Sequence, residues 1–339
     1  MQTIRLGKTE IVTNKNGFGA LPIQRVTEEE AVYLIRKAYE GGITFFDTAR
    51  FYTDSEVKLG VAFRGIREKV FIASKTAAVT VDAFWKDLEM TLSNLETDYL
   101  DIYQFHNPAF CPKPGDESGV YDAMLEAKQQ GKVRHIGITN HRLAIVLEAV
   151  ESGLYETLQF PFSYLATEKE IELVEKCREK DMGFIAMKAL SGGLITNSKA
   201  AYAYQALYKD ILPIWGVQRE SELDEFLSYI ENPPVMDQEL QAVIDKDRQE
   251  LLGEFCRGCG YCMPCPVGIE INNCARMTLL LRRAPLELQL TPQMQEKMML
   301  IEKCLQCGKC KSKCPYQLDT PALLAKNLDD YKTVLMNGL

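Results

Sequence analysis

The 339-residue chain is 46% hydrophobic and 25% charged, the proportions of an ordinary globular protein, which excludes disordered, collagen-like and low-complexity classes. Its net charge of −8, with no basic block, argues against nucleic acid as a partner. No apolar run approaches the roughly 18 residues that span a bilayer, and the opening MQTIRLGKTEIV lacks the apolar stretch of a signal peptide, so a cytoplasmic protein with no membrane partner is expected.

In chain order, the sequence first predicts a hairpin, Ile4–Leu6 with Glu10–Val12, turned at Gly7. Eight candidate strands follow: Gly17–Leu21, Thr44–Asp47, Val70–Lys75, Asp101–His106, His135–Asn140, Thr157–Phe160, Gly183–Lys188 and Leu212–Val217. Helical patterns separate them, such as EEEAVYLIRKAYEGG, with apolar residues at helical spacing and a Gly-Gly stop. Another is EKEIELVEKCREKDM, in which Cys177 reads as a core residue. Eight β/α units in about 220 residues fit an α/β fold, a closed (β/α)8 TIM barrel with its active site at the C-terminal strand ends. An open doubly wound sheet is the alternative. It carries a glycine fingerprint after its first strand, and Gly17-Phe18-Gly19-Ala20 is not GxGxxG.

In a barrel, the residues that close each strand carry the chemistry. Strand two ends in Asp47 and runs on to Tyr52; strand three ends at Lys75 and strand four at His106. Taken singly, Asp47 reads equally as a helix cap, Tyr52 as a loop aromatic, Lys75 as a snorkelling cation and His106 as a core histidine. Together at one barrel mouth they form a proton donor. A phenol ordinarily titrates near pH 10, too high for efficient proton exchange at neutrality. A lysine cation beside it favours the phenolate, and a carboxylate keeps that lysine charged and in place. A histidine orients the substrate oxygen, and general-acid help of this kind is worth roughly 10²–10⁴ in rate.

The strings GFGALPI, GGITFFDTARFYTDSEVKLG, FIASKT, LDIYQFHNP, GKVRHIGITNH and LQFPFSYL, in this order over roughly residues 1–230, resemble the aldo-keto reductase family. The resemblance implies a barrel that binds NAD(P)H without a Rossmann fold. It implies a catalytic tetrad of Asp47, Tyr52, Lys75 and His106, with Tyr52 as acid/base. It also implies a cofactor site that includes Gly19, Thr139, Asn140, Gln159, Met187, Gly216 and Arg219. Asn140 and Gln159 match positions that hold the nicotinamide carboxamide, and Thr139 stands where the family usually has serine. Turn and strand-end hydrogen bonding is the alternative role for the two amides. Met187 replaces a stacking tyrosine and covers a ring less rigidly. The loop Trp215-Gly216-Val217-Gln218-Arg219-Glu220-Ser221 lacks the Lys-Ser pair of NADPH-preferring relatives. Arg219 is either a phosphate ligand or a solvated loop arginine, which leaves NADH against NADPH open.

Nine of the eleven cysteines fall between Cys256 and Cys314, which marks a second domain; 1–250 is expected to be the barrel and 251–339 a metal-binding module. Cys304, Cys307, Cys310 and Cys314, followed by Pro315, have the bacterial ferredoxin spacing C-x2-C-x2-C-x3-C-P. Three close thiolates wrap three corners of a cubane, and the fourth is redirected to another cluster. The run Cys256, Cys259, Cys262, Cys265 and Pro266 repeats the pattern with one residue fewer before its last cysteine. Two [4Fe–4S] clusters with crossed ligation are expected: Cys256, Cys259, Cys262 and Cys314 on one, Cys304, Cys307, Cys310 and Cys265 on the other. Paired zinc sites are the alternative. Cys274, on NNCARMTLLLRR, reads as packing. The helical stretch between the runs resembles the helical dicluster ferredoxin modules, so a small, mainly helical iron–sulfur domain is expected after the barrel.

Three functional readings follow. The chain reduces a small-molecule carbonyl, or oxidises an alcohol, while its clusters serve structure. Or the clusters exchange electrons with the barrel site, for C=C reduction or for coupling to a ferredoxin or other electron carrier. Or the barrel is silent and the chain transfers electrons only. The complete tetrad argues against the third.

Overall fold

The structure, a computed structural model, describes residues 2–251 and 255–338. The chain divides into two compact units, 1–189 with 202–236 and 190–201 with 237–339.

The first unit is a (β/α)8 barrel. A two-stranded hairpin, β1 (Thr3–Arg5) and β2 (Val12–Asn14), precedes it. The barrel strands are β3 (Gly17–Gly19), β4 (Phe45–Asp47), β5 (Phe71–Thr76), β6 (Leu100–His106), β7 (Val133–Thr139), β8 (Thr157–Pro161), β9 (Gly183–Met187) and β10 (Ile211–Gly216). They pair in parallel in chain order, and β10 closes onto β3. Each matches its predicted counterpart to within about two residues at either end, the ordinary scatter of element ends. The helices between them are cut by local chemistry. Glu28–Glu40 and Glu168–Glu179 both start on complete capping boxes, Thr27 with Glu30 and Thr167 with Glu170.

The hairpin differs from expectation in its second strand, which begins at Val12 instead of Glu10. Thr9 causes the shift. Its hydroxyl donates to Leu6 O at 2.6 Å and accepts from Ile11 N at 3.2 Å, which draws residues 6–11 into a closed loop before pairing can begin. Gly7 in that loop has φ +56° and bridges to Met182; a Cβ there would lie 2.0 Å from Gly183 N, so no other residue fits. The turn fastens the hairpin to the start of β9.

Alternation along the strands then places the site. Phe45, Ala73, Ile102, Ile185, Leu212 and Ile214 form one buried cluster with Ile4, Leu6 and Ile11 of the hairpin. Side chains two positions further along share the inward face. Those positions are Asp47, Lys75, Gln104, Met187 and Gly216. Below them the interior is apolar; at their level it turns polar.

The second unit is helical. Its core comprises Ile269, Ile271, Met277, Leu281, Met298, Ile301, Leu324, Leu328, Tyr331 and Val334 with Cys274 and Cys310. The helix Thr320–Asn337, capped by Asp319, packs on the helix Met277–Arg283. Buried Asn327 ties the two by accepting from Thr278 N at 2.7 Å. Arg276 and Arg283 donate to the carbonyls of Gly192 and Leu194, each at 2.7 Å, so the segment Leu190–Ala201 belongs to this unit. No helix among the described residues is long and apolar enough to cross a membrane.

Candidate active site and cysteine-lined cavities

At the C-terminal end of the barrel, Asp47 and Lys75 form a fully buried ion pair at 2.7 Å. Lys75 Nζ also donates to Thr48 O at 2.5 Å. Burial pulls both groups toward their neutral forms, Asp47 upward and Lys75 downward, and their mutual attraction opposes it. Two amides reinforce the carboxylate. Gln159 Nε2 donates to Oδ1 at 3.2 Å, and Gln104 Nε2 approaches Oδ2 at 3.4 Å while donating to Gln159 Oε1 at 2.8 Å.

Tyr52 and His106 sit above this pair. Lys75 Nζ lies 5.3 Å from the centroid of the Tyr52 ring, within cation–π range. The His106 ring meets Tyr52 edge-on at 6.0 Å and Phe51 at 6.1 Å. Burial, with Lys75 adding to it, pushes the His106 pKa down to about 3, so its imidazole is neutral at physiological pH. Its Nδ1 is enclosed and has no hydrogen-bond partner among the described residues. Phe51 is 68% exposed and forms an apolar rim beside the tyrosine.

A buried network holds the tyrosine's loop. Thr48 Oγ1 and Ser55 Oγ are 2.9 Å apart, and Ser55 Oγ donates to Ala20 O at 2.9 Å. Arg50 pairs with Glu56, which is 1% exposed and also accepts from Ser74 (2.8 Å), Thr91 (2.9 Å) and Asn94 (3.2 Å). Four partners satisfy a carboxylate that burial would otherwise penalise. The structure therefore brings Asp47, Tyr52, Lys75 and His106 together. Sequence reading missed Gln104, Phe51 and Glu56. The one available signal for Gln104 was a polar residue on the inward parity of LDIYQFH.

The predicted cofactor residues ring the same end. Gly19 pairs with both Asp47 and Gly216, so three strands meet there with no side chain on two of them. Thr139 closes β7 opposite His106. Asn140 donates to Pro108 O at 2.8 Å and caps the next turn by accepting from His141 N and Arg142 N, both at 2.9 Å. The Gln159 amide is engaged by Asp47 and Gln104, so both amides carry the strand-end role whatever else they hold. Met187 closes β9, half-buried at the edge of the apolar cluster. Arg219 is 68% exposed by side chain, 3.9 Å from Glu222, whose other oxygen accepts from Gln218 N (3.0 Å) and Arg219 N (3.1 Å). Cys111 is buried with its sulfur 3.8 Å from the Tyr155 hydroxyl.

In the second unit the cysteines are unbridged. Cys256, Cys259, Cys262 and Cys314 line one small cavity. Cys265, Cys304, Cys307 and Cys310 line another, whose wall also includes Cys262. Among the described residues no three His, Cys, Asp or Glu side chains converge on a single-ion site. Four soft thiolates gathered around each of two sites suit multi-iron clusters. Cys274 lies outside both cavities, fully buried in the helical core.

The barrel and the cysteine-rich helical unit agree with comparison to known proteins. The Aldo/keto reductase family profile matches residues 15–205, and a 4Fe-4S dicluster domain profile matches residues 255–319. The chain belongs to the aldo/keto reductase family and carries a 4Fe-4S dicluster domain after its barrel. It is 30% identical over 211 residues to L-galactose dehydrogenase of Arabidopsis thaliana, covering 57% of this chain and 66% of that one. It is 25% identical over 228 residues to the NADH-specific methylglyoxal reductase of Escherichia coli, covering 58% and 70%. The fold is that of the aldo-keto reductase from Klebsiella pneumoniae solved in complex with NADPH, with a TM-score of 0.60 at 22% identity over 72% of this chain and 94% of that one. The chain spans about two thirds of the length of the curated relatives it matches.

Proposed function

We propose that the chain is an NAD(P)H-dependent oxidoreductase that reduces a small-molecule carbonyl, or oxidises the corresponding alcohol, with Tyr52 as general acid/base. NAD(P)H, when bound, supplies the hydride. As the carbonyl carbon gains it, the Tyr52 hydroxyl donates its proton to the carbonyl oxygen, and the alcohol forms. Lys75 stabilises the phenolate left behind, and Asp47 keeps Lys75 charged inside the barrel. His106, neutral, hydrogen-bonds the same oxygen and sets its position. Gly19 and Gly216 give the cofactor room beside the strand ends; Thr139, Asn140, Gln159, Met187 and Arg219 line its path. The observation that carries this reading is the buried Lys75 cation, 2.7 Å from Asp47 and 5.3 Å from the Tyr52 ring. The test is Tyr52→Phe with a carbonyl substrate panel. Turnover falls by about 10²–10⁴ while NAD(P)H binding, measured by nicotinamide fluorescence, is unchanged. Near-full turnover would exclude Tyr52 as the donor.

The two cysteine-lined cavities support a second part of the proposal. Cys256, Cys259, Cys262 and Cys314 hold one [4Fe–4S] cluster, and Cys265, Cys304, Cys307 and Cys310 hold another. Iron and sulfide content of anaerobically purified protein, with its EPR spectrum, tests the number. A chain with two clusters has the means to exchange single electrons. Stopped-flow absorbance on mixing with NAD(P)H decides whether it does: cluster bleaching at the turnover rate supports exchange, and unchanged clusters during fast carbonyl reduction sink it.

A further inference from the structure

Residues 303–313 carry four lysines, Lys303, Lys309, Lys311 and Lys313, and no acidic residue, in a chain whose net charge is −8. The same eleven positions hold Cys304, Cys307 and Cys310, which line one cavity together with Cys265. Local geometry turns this stretch outward. Gln306 and Gly308, on either side of Cys307, take left-handed backbone, φ +51° and +69°, and Cys307 is exposed. Leu305 beside it is 65% exposed, an apolar side chain with no place in the core. Lys311 is tied to Asp319 at 2.8 Å. Lys303, Lys309 and Lys313 are exposed and enter no ion pair among the described residues.

We infer that this surface docks a small, acidic, one-electron carrier protein at the cluster of Cys265, Cys304, Cys307 and Cys310; the inference rests on the cluster reading above. Exposed cations free of ion pairs, on the same short stretch as an exposed apolar side chain, suit a transient electrostatic interface, in which opposite charge steers the encounter and a small desolvated centre sets the fit. The exposed Cys307 brings the cluster edge to that centre. In each encounter one electron passes between carrier and cluster, oxidising one and reducing the other, with no bond made or broken.

The test uses full-length, cluster-loaded protein and a purified flavodoxin of strongly negative net charge as probe, with binding followed by interferometry under anaerobic conditions. Binding at about 20 mM salt weakens steeply by about 300 mM, where the Debye length has shrunk to a few ångströms. The K303E/K309E/K313E variant, verified by iron content, binds at least tenfold more weakly. Reversing exposed barrel lysines in K69E/K86E/K169E makes the same change in net charge and leaves binding within twofold. Reduction of the clusters by reduced flavodoxin slows in the first variant only. Cluster-loaded protein that fails to bind at low salt, binds without salt dependence, or loses affinity equally in both variants would overturn the docking surface. Absence of iron and sulfide would overturn the cluster reading itself, and the surface with it.

Discussion

Gln104 and Gln159 meet inside the barrel, the Nε2 of one 2.8 Å from the Oε1 of the other, and each amide also reaches an oxygen of Asp47. The two glutamines make a polar floor that holds the carboxylate in one orientation under Lys75. Gln104→Leu would leave Gln159 Oε1 buried without a donor. A loss of about 1–3 kcal/mol is expected, measured by urea unfolding, with a smaller effect on NAD(P)H affinity. Unchanged stability would mean that the floor is filled by water.

The Asp47–Lys75 pair separates stability from catalysis. Asp47→Asn leaves a buried cation unpaired and costs about 3–5 kcal/mol. The double variant Asp47→Leu with Lys75→Met removes both charges, so its midpoint recovers toward the parent while carbonyl reduction stays abolished. Failure of the double variant to regain stability over Asp47→Asn would assign the cost to packing.

His106 fixes a pH dependence. Its folded pKa, about 3, is depressed below an unfolded value near 6.5, so below pH 6.5 the unfolded chain binds a proton that the folded chain refuses. The stability is present in full above pH 6.5 and is lost as pH falls toward 3. In the interval the slope is about 1.4 kcal/mol per pH unit for one proton. His106→Gln flattens the profile by that amount, read from urea midpoints between about pH 6.5 and 4.5; parallel profiles would place the histidine in water.

The cysteines divide by experiment. Cys274→Ala keeps full iron content and loses only core packing, about 1 kcal/mol for a small side chain. Cys314→Ser and Cys256→Ser give the same EPR change, and Cys265→Ser shares the other change with Cys304→Ser. A pattern grouped by sequence run, Cys314 with Cys304, would reject crossed ligation.

Much of this was legible before the structure, for a physical reason. Barrel strands are buried on both faces, so a titratable residue closing an apolar run, as Asp47, Lys75 and His106 do, stands out. The cysteine runs are legible because metal spacing is covalent arithmetic. Gln104 was hidden because an uncharged amide inside LDIYQFH breaks no pattern until one knows which parity faces inward. Glu56 was hidden for the opposite reason: in SEVKLGVAF it reads as a solvated helix position, and only the tertiary partners Arg50, Ser74, Thr91 and Asn94 explain its burial. The hairpin shift came from one hydroxyl, that of Thr9, whose choice of backbone partner leaves no periodic trace.

The segment Leu190–Ala201 takes its partners from Arg276 and Arg283, far downstream, although it is translated between two barrel strands. During synthesis, then, the barrel sequence is finished while that segment still waits for the last third of the protein. A ribosome stopping near residue 236 would release a chain with an unsatisfied strap in its middle. The two units are interleaved along the chain, so a cut there parts Gly192 and Leu194 from Arg276 and Arg283.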